Sequence, residues 1–174
     1  GCAATNAITG VLNAWQDGVP CIFISGQNKL KETVRYTGTN IRTFGSQETD
    51  IIPIVEPITK YCVMIDDPQK IAYEMDKALY YAQSGRKGPV WIDIPVDVQN
   101  MRVEPDELER YMPDHINFNP KSKDIQYVCE ELKKAKRPVL LIGTGIRSAN
   151  AVSEFKEFIE KCPFPVTFAC SAVD

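Results

Sequence analysis

Three strand-like apolar runs, at 21–24, 58–65 and 90–94, alternate with helix-forming sequence, and this alternation constrains the fold more than any other feature of the chain. Strands joined through helices pair in parallel, because a tight hairpin can only return a strand antiparallel. Ahead of the first run, Ala4, Ile8, Val11, Leu12 and Trp15 recur at steps of three and four, the spacing of one helical face. Asp17-Gly18 ends that helix: Gly18 is free to take the left-handed cap, and Pro20 cannot continue the helix. The run 21–24 predicts a strand covered on both faces. Ser25-Gly26-Gln27 follows at its carboxyl end, where open α/β sheets bind ligands.

The stretch 28–46 is polar and aperiodic, and long loops of this kind are commonly functional. Its Lys29, Lys31, Arg35 and Arg42 have two readings, contacts to an anionic substrate or an ordinary solvated loop. A short helix is predicted over 47–55, limited by Pro53 and stopped by Pro57. Asp67-Pro68 supplies a cap and a first-turn proline for a helix over 69–83, whose apolar face carries Ile71, Met75, Ala78 and Ala82 and which Gly85 closes. The strand 90–94 is entered through Gly88-Pro89 and ended by Pro95. These elements predict an α/β fold of parallel-sheet, three-layer units with right-handed crossovers.

From 97 the pattern dissolves into acidic residues and prolines at 105, 113 and 120, so the chain divides into a first domain over 1–100, a linker over 101–121 and a second domain over 122–174. In the second domain Ile125, Val128, Cys129, Leu132 and Ala135 share a helix face, 138–142 and 165–169 read as strands, and Ala149, Val152, Phe155 and Ile159 face the core from another helix. Two strands make a poor open sheet, so both domains are expected to be truncated and the protein to continue beyond this sequence. Gly143-Thr144-Gly145, between strand and helix, is half of a dinucleotide fingerprint, with Ser148 where the third glycine would stand. It suits either a plain βα turn or a nucleotide contact at Gly143 and Gly145.

Composition narrows the function classes. Hydrophobic residues make up 44% and charged residues 25% of the chain, the proportions of an ordinary globular protein. A net charge of −3 offers no electrostatic reason to bind nucleic acid or a membrane surface, and no apolar run nears the roughly 20 residues that span a bilayer. The six cysteines include no CxxC pair and lie mostly in apolar contexts, as small buried hydrophobes of a reducing cytoplasm would. A single histidine, His115, supports neither a histidine metal site nor a Ser-His triad.

The motifs together resemble the thiamine diphosphate-dependent enzymes of the acetolactate synthase type. Gly1-Cys2-Ala3-Ala4-Thr5-Asn6 is similar to the family's Gly-Pro-Gly-Ala-Thr-Asn turn. Ala14-Trp15 with Asp17 and Pro20, Ser25-Gly26-Gln27, Gln47-Glu48-Thr49-Asp50, Pro57-Ile58-Thr59-Lys60, and the run from Ser84-Gly85-Arg86 to Ile92-Asp93-Ile94-Pro95 follow in order. The resemblance implies the later part of a pyrimidine-binding domain, then a linker and the start of a Rossmann-like central domain. It also implies an enzyme that decarboxylates a 2-oxoacid such as pyruvate and transfers the acyl carbanion equivalent to a second carbonyl, in branched-chain amino-acid biosynthesis.

The implied cofactors are thiamine diphosphate and Mg²⁺, with FAD or ADP bound by the central domain in some members. Gly1, Cys2 and Asn6 would line the pyrimidine, with Asn6 equally suited to cap a helix. Gln47 would be the catalytic glutamine facing the reacting carbon, and Gly143 and Gly145 the nucleotide contacts. No metal ligand is identified here: the activating glutamate and the metal motif lie in other parts of the family's sequence. Ser46 and Gly45 replace the family's phenylalanine and alanine, and Cys2 and Ala3 its proline and glycine, which leaves the acceptor substrate open. A homodimer or homotetramer in the cytoplasm is implied. The alternatives are a nucleotide-binding Rossmann oxidoreductase and a non-catalytic homologue acting as a structural or regulatory partner. The chain alone is expected to be inactive.

Overall fold

The computed structural model describes residues 1–113 and 119–172. The chain divides into two compact units, before and after residue 115. His115 itself lies outside the described residues.

The first unit begins with a 3-10 turn, Cys2–Ala7, that runs into helix α1, Ile8–Asp17. Gly18 ends α1 in the left-handed conformation, φ 68°, and its N–H donates to the Ala14 carbonyl. Strand β1, Ile22–Gln27, follows, and after it come the short helices α2, Val34–Thr37, and α3, Ile52–Val55. Strand β2 is Cys62–Met64. The Asp67 side chain accepts the Gln69 N–H at 2.9 Å over Pro68, and helix α4, Ile71–Gln83, grows from that turn. Strand β3, Val90–Pro95, and helix α5, Val96–Gln99, complete the unit's regular elements.

The three strands are parallel in the order β1-β3-β2. Side chains alternate across the central strand and so feed two cores. Val90 and Ile92 pack with Ala78 and Ala82 of α4 on one face. Trp91 packs with Val11 of α1 and with Ile52 and Val55 of α3 on the other, and its ring stacks on Phe23 at 5.5 Å. Only β3 is covered throughout. β1 is an edge strand and Ile24 is 59% exposed, so the expectation of a strand buried on both faces fails for β1, whereas β3 between its two neighbours is buried.

Other expectations change in extent. The strand expected over 58–65 shortens to Cys62–Met64, because Glu56–Ile58 form a 3-10 turn that holds Pro57 within it. The helix expected over 47–55 shortens to Ile52–Val55, because Gln47 takes a left-handed backbone, φ 57°, that no right-handed helix admits. The stretch read as a linker is attached to α4 at Arg110 and Tyr111. Arg110 pairs with Asp76 at 2.7 Å, and the Tyr111 ring meets Tyr73 edge-on at 5.4 Å. None of the cysteines is fully buried: Cys2, Cys129 and Cys170 are exposed and Cys21, Cys62 and Cys162 half-buried, all as free thiols.

The second unit contains helix α6, Ser122–Lys134, strand β4, Leu140–Ile142, helices α7, Gly145–Ser148, and α8, Val152–Lys161, and strand β5, Val166–Phe168. β4 and β5 form a two-stranded parallel sheet. Its apolar faces stay open, with Leu141 at 72% exposure and Phe168 at 57%. The amphipathic face of α6 is open too, Ile125 and Val128 being each about half exposed.

Candidate active site at the carboxyl end of the first sheet

Residues distant in sequence meet where β1 ends. The Gly1 N–H group donates to the Gly26 carbonyl, and the Cys2 N–H donates to the Gln47 carbonyl at 2.8 Å. The turn is closed so tightly on Gln47 that a Cβ on Gly1 would stand 2.5 Å from the Gln47 oxygen. Glycine is required there by contact with the chain's own backbone. Gly1, Cys2 and Gln47 are thus brought together. Asn6 lies inside the 3-10 turn and exposed, one residue before the N-cap of α1, and the cap makes no side-chain hydrogen bond. The capping alternative for Asn6 is set aside by that geometry.

Beneath the turn lies a buried polar network whose parts sequence reasoning quoted only as motifs. The parallel register sets Ser25 opposite Asp93. Asp93 is 1% exposed; its carboxylate accepts the Ser25 hydroxyl at 2.6 Å and the Gln27 amide at 3.0 Å. Trp91 Nε1–H donates to Ser25 Oγ at 2.8 Å. Gln27 also donates to the Thr49 carbonyl at 2.7 Å and accepts the Asn28 N–H at 3.0 Å. Burial pushes the Asp93 carboxyl above its usual range, and the hydrogen bonds from Ser25 and Gln27 pull against that rise. The network ties the sheet to the segment carrying Gln47. Its sequence signal was the matched spacing of Ser25-Gly26-Gln27 and Ile92-Asp93-Ile94, but only the register shows that the two touch.

The basic residues of the 28–46 loop are partly spoken for. Arg35 pairs with Asp50 at 2.7 Å and Lys29 stands 4.0 Å from Glu32. Lys60 lies at the other end of the sheet, before β2, where its ammonium caps the Ser84 carbonyl at the end of α4. Burial lowers its pKa.

The small residues of the opening turn, with Cys2, Ala3 and Asn6 exposed, fit a flat ring laid against backbone. Among the described residues no group of acidic, cysteine and histidine side chains is arranged to hold a metal ion. In the second unit Gly143 and Gly145 follow β4, and open space surrounds the position of a Cβ on either. No helix among the described residues is long and apolar enough to cross a membrane.

Comparison with known proteins places the chain in a family. Residues 1–54 match the thiamine pyrophosphate enzyme N-terminal TPP-binding domain, and residues 125–172 match the thiamine pyrophosphate enzyme central domain. The acetolactate synthase large subunit of Buchnera aphidicola subsp. Acyrthosiphon pisum is 37% identical over 174 residues, covering 96% of this chain and 28% of the relative. That of Lactococcus lactis subsp. lactis is 36% identical over 169 residues, covering 95% and 28%. The acetolactate synthase isozyme 1 large subunit of Escherichia coli K12 is 35% identical over 174 residues, covering 99% and 29%. The chain therefore spans a little over a quarter of the length of these relatives. With two domain matches in family order and similarity running through nearly all its residues, the chain belongs to the thiamine pyrophosphate enzymes and is acetolactate synthase-like.

Proposed function

We propose that these residues serve a thiamine diphosphate- and Mg²⁺-dependent enzyme that decarboxylates a 2-oxoacid such as pyruvate and joins the acyl unit to a second carbonyl compound. The observation that carries this reading is the contact of the Gly1–Cys2 turn with Gln47 across the end of β1. Two separately matched motifs, 46 positions apart at Gly1 and Gln47, form one surface. Bound there, thiamine diphosphate supplies the nucleophilic carbon that the reaction needs.

The chain's own residues contribute position. Gly1, Cys2 and Asn6 lay the backbone of the turn against the pyrimidine. Gln47, exposed at the rim, orients the reacting carbonyl through its amide. Metal ligands are assigned to sequence outside these 174 residues. Gly143 and Gly145 would admit the diphosphate of FAD or another nucleotide to the central domain, since nothing of the described protein fills the space beside them. The domain limits that go with this reading are 1–100, a linker over 101–121, and 122–174. A cytoplasmic homodimer or homotetramer completes it, and the isolated chain is inactive.

The test is Gln47→Ala in the intact enzyme. Loss of one or two polar contacts formed in the transition state lowers kcat by roughly 10- to 100-fold, with thiamine diphosphate affinity unchanged. An unaltered kcat with the carboligation product still formed removes Gln47 from the site.

A further inference from the structure

The segment carrying Gln47 is held at almost every peptide except at the Gln47 side chain. Glu48 is 8% exposed, and its two carboxylate oxygens accept one backbone N–H each: Oε1 from Val34 at 2.6 Å and Oε2 from Phe44 at 2.6 Å. One buried carboxylate therefore draws together two points ten residues apart. Gly45 sits inside the resulting ring. A Cβ there would stand 2.2 Å from Asn28 Nδ2 and 2.9 Å from the Glu32 carbonyl oxygen. Asn28 Nδ2–H donates to the Ser46 carbonyl at 2.8 Å. On the far side, the Gln47 carbonyl is taken by Cys2 and the Thr49 carbonyl by Gln27. Between these fixed points Gln47 has φ 57°, a conformation that a residue with a side chain keeps only when its surroundings impose it. The Gln47 side chain is exposed and makes no hydrogen bond among the described residues.

We propose that Glu48 is a positioning residue for catalysis: by binding the Val34 and Phe44 amides it closes the ring that holds Gln47 in its left-handed backbone, and so aims the Gln47 amide at the reacting carbonyl. The inference rests on the catalytic reading of Gln47 given above. A buried carboxylate that accepted two amides only for stability would have no reason to act through its neighbour. One that positions Gln47 must lose its effect on turnover when the Gln47 side chain is gone.

The experiment is a double-mutant cycle in the intact enzyme. Glu48→Gln keeps the shape but turns an amide donor toward one of the two backbone donors, breaking one arm of the clamp. It is expected to lower kcat by roughly 5- to 20-fold with KM for the 2-oxoacid within about threefold. In the Gln47→Ala background the same change should lower kcat by less than about twofold. Val34→Pro is the second variant. Val34 is the first residue of α2 and Thr33 before it is extended, at φ −113° and ψ 139°, so the backbone accepts proline, which removes the same N–H and sets its Cδ where the Glu48 oxygen stood, opening that arm of the clamp with the Glu48 carboxylate still present. Its loss of kcat should likewise vanish in the Gln47→Ala background. Equal losses in both backgrounds overturn the inference, as does an unchanged kcat in Glu48→Gln or Val34→Pro while Gln47→Ala is impaired. If Gln47→Ala itself retains full kcat, the catalytic reading of Gln47 falls and this inference with it.

Discussion

The two units carry similarly clear apolar patterns and bury them very differently. Ile92 of β3 is fully buried between α4 and its neighbouring strands, whereas Leu141 of β4, at a comparable place in an apolar run, is 72% exposed. The difference is one of neighbours. β3 has a strand on each side and helices over both faces; β4 has one strand beside it. A continuous apolar run thus states what a strand can bury, and the sheet around it decides what is buried.

Mutation of the two strands sharpens that comparison. Ile92→Ala should cost unit one about 2–5 kcal/mol, through lost transfer energy and the cavity left in a closed core. Leu141→Ala should cost under about 1 kcal/mol, since most of that side chain is already in water. Both tryptophans, Trp15 and Trp91, lie in the first unit, so their fluorescence follows its unfolding alone, and far-ultraviolet dichroism follows the whole chain. Comparable losses at the two sites would break the contrast.

Next in size is the polar network, which the second unit lacks among its described residues. Asp93→Ala should cost about 1–3 kcal/mol, because the Ser25 hydroxyl and Gln27 amide lose their buried acceptor. The pH dependence has a definite sign. The folded carboxyl holds its proton more tightly than the usual value of 3.8, so the folded state binds more protons than the unfolded one in the window just above that value. The contribution of Asp93 to stability is therefore greatest at acid pH and declines as pH rises through that window. Denaturation midpoints of wild type minus Asp93→Asn, taken across that window, should show the decline. A difference that grows with pH would contradict it.

The smallest effect is expected where the first unit receives the segment after α5. Arg110→Ala should cost no more than about 1 kcal/mol, since the pair with Asp76 is largely solvated on the arginine side, 66% exposed. Its signature is kinetic: limited proteolysis within 101–121 should begin sooner than in wild type, ahead of any cut inside 69–94. Unchanged cleavage would mean that Tyr111 on Tyr73 suffices to hold the segment.

Much of the first unit was legible because its signals are local. Gly18 and Asp67 act on their own helices, and the apolar content of 90–94 needs no partner to be recognised as strand. What escaped depends on residues far apart. Nothing adjacent to Gln47 announces a left-handed backbone; it follows from Glu48 reaching Val34 and Phe44 and from Cys2 reaching across from the start of the chain. Ser25 and Asp93 are 68 positions apart and meet only through strand register. The attachment of Arg110 and Tyr111 to α4 was hidden in the same way, inside a proline-rich stretch with no periodicity. The proposed site residues Gly1, Cys2, Asn6 and Gln47 come from motif resemblance, and the residues that hold Gly1, Cys2 and Gln47 in place come from geometry.

The ring that Glu48 closes has a consequence for how this protein tolerates change in length. Val34 and Phe44 are pinned to one carboxylate, so the chain between them is a cassette whose two ends are fixed independently of its contents. Doubling such a loop costs only about 0.6 kcal/mol of closure entropy. Insertions near Gly38, where a left-handed glycine ends α2 and nothing packs against it, would lengthen a surface excursion while the register of Gln47 stays anchored outside it. A reporter peptide or recognition sequence could be carried there, with the rim of the site used as its fixed mount.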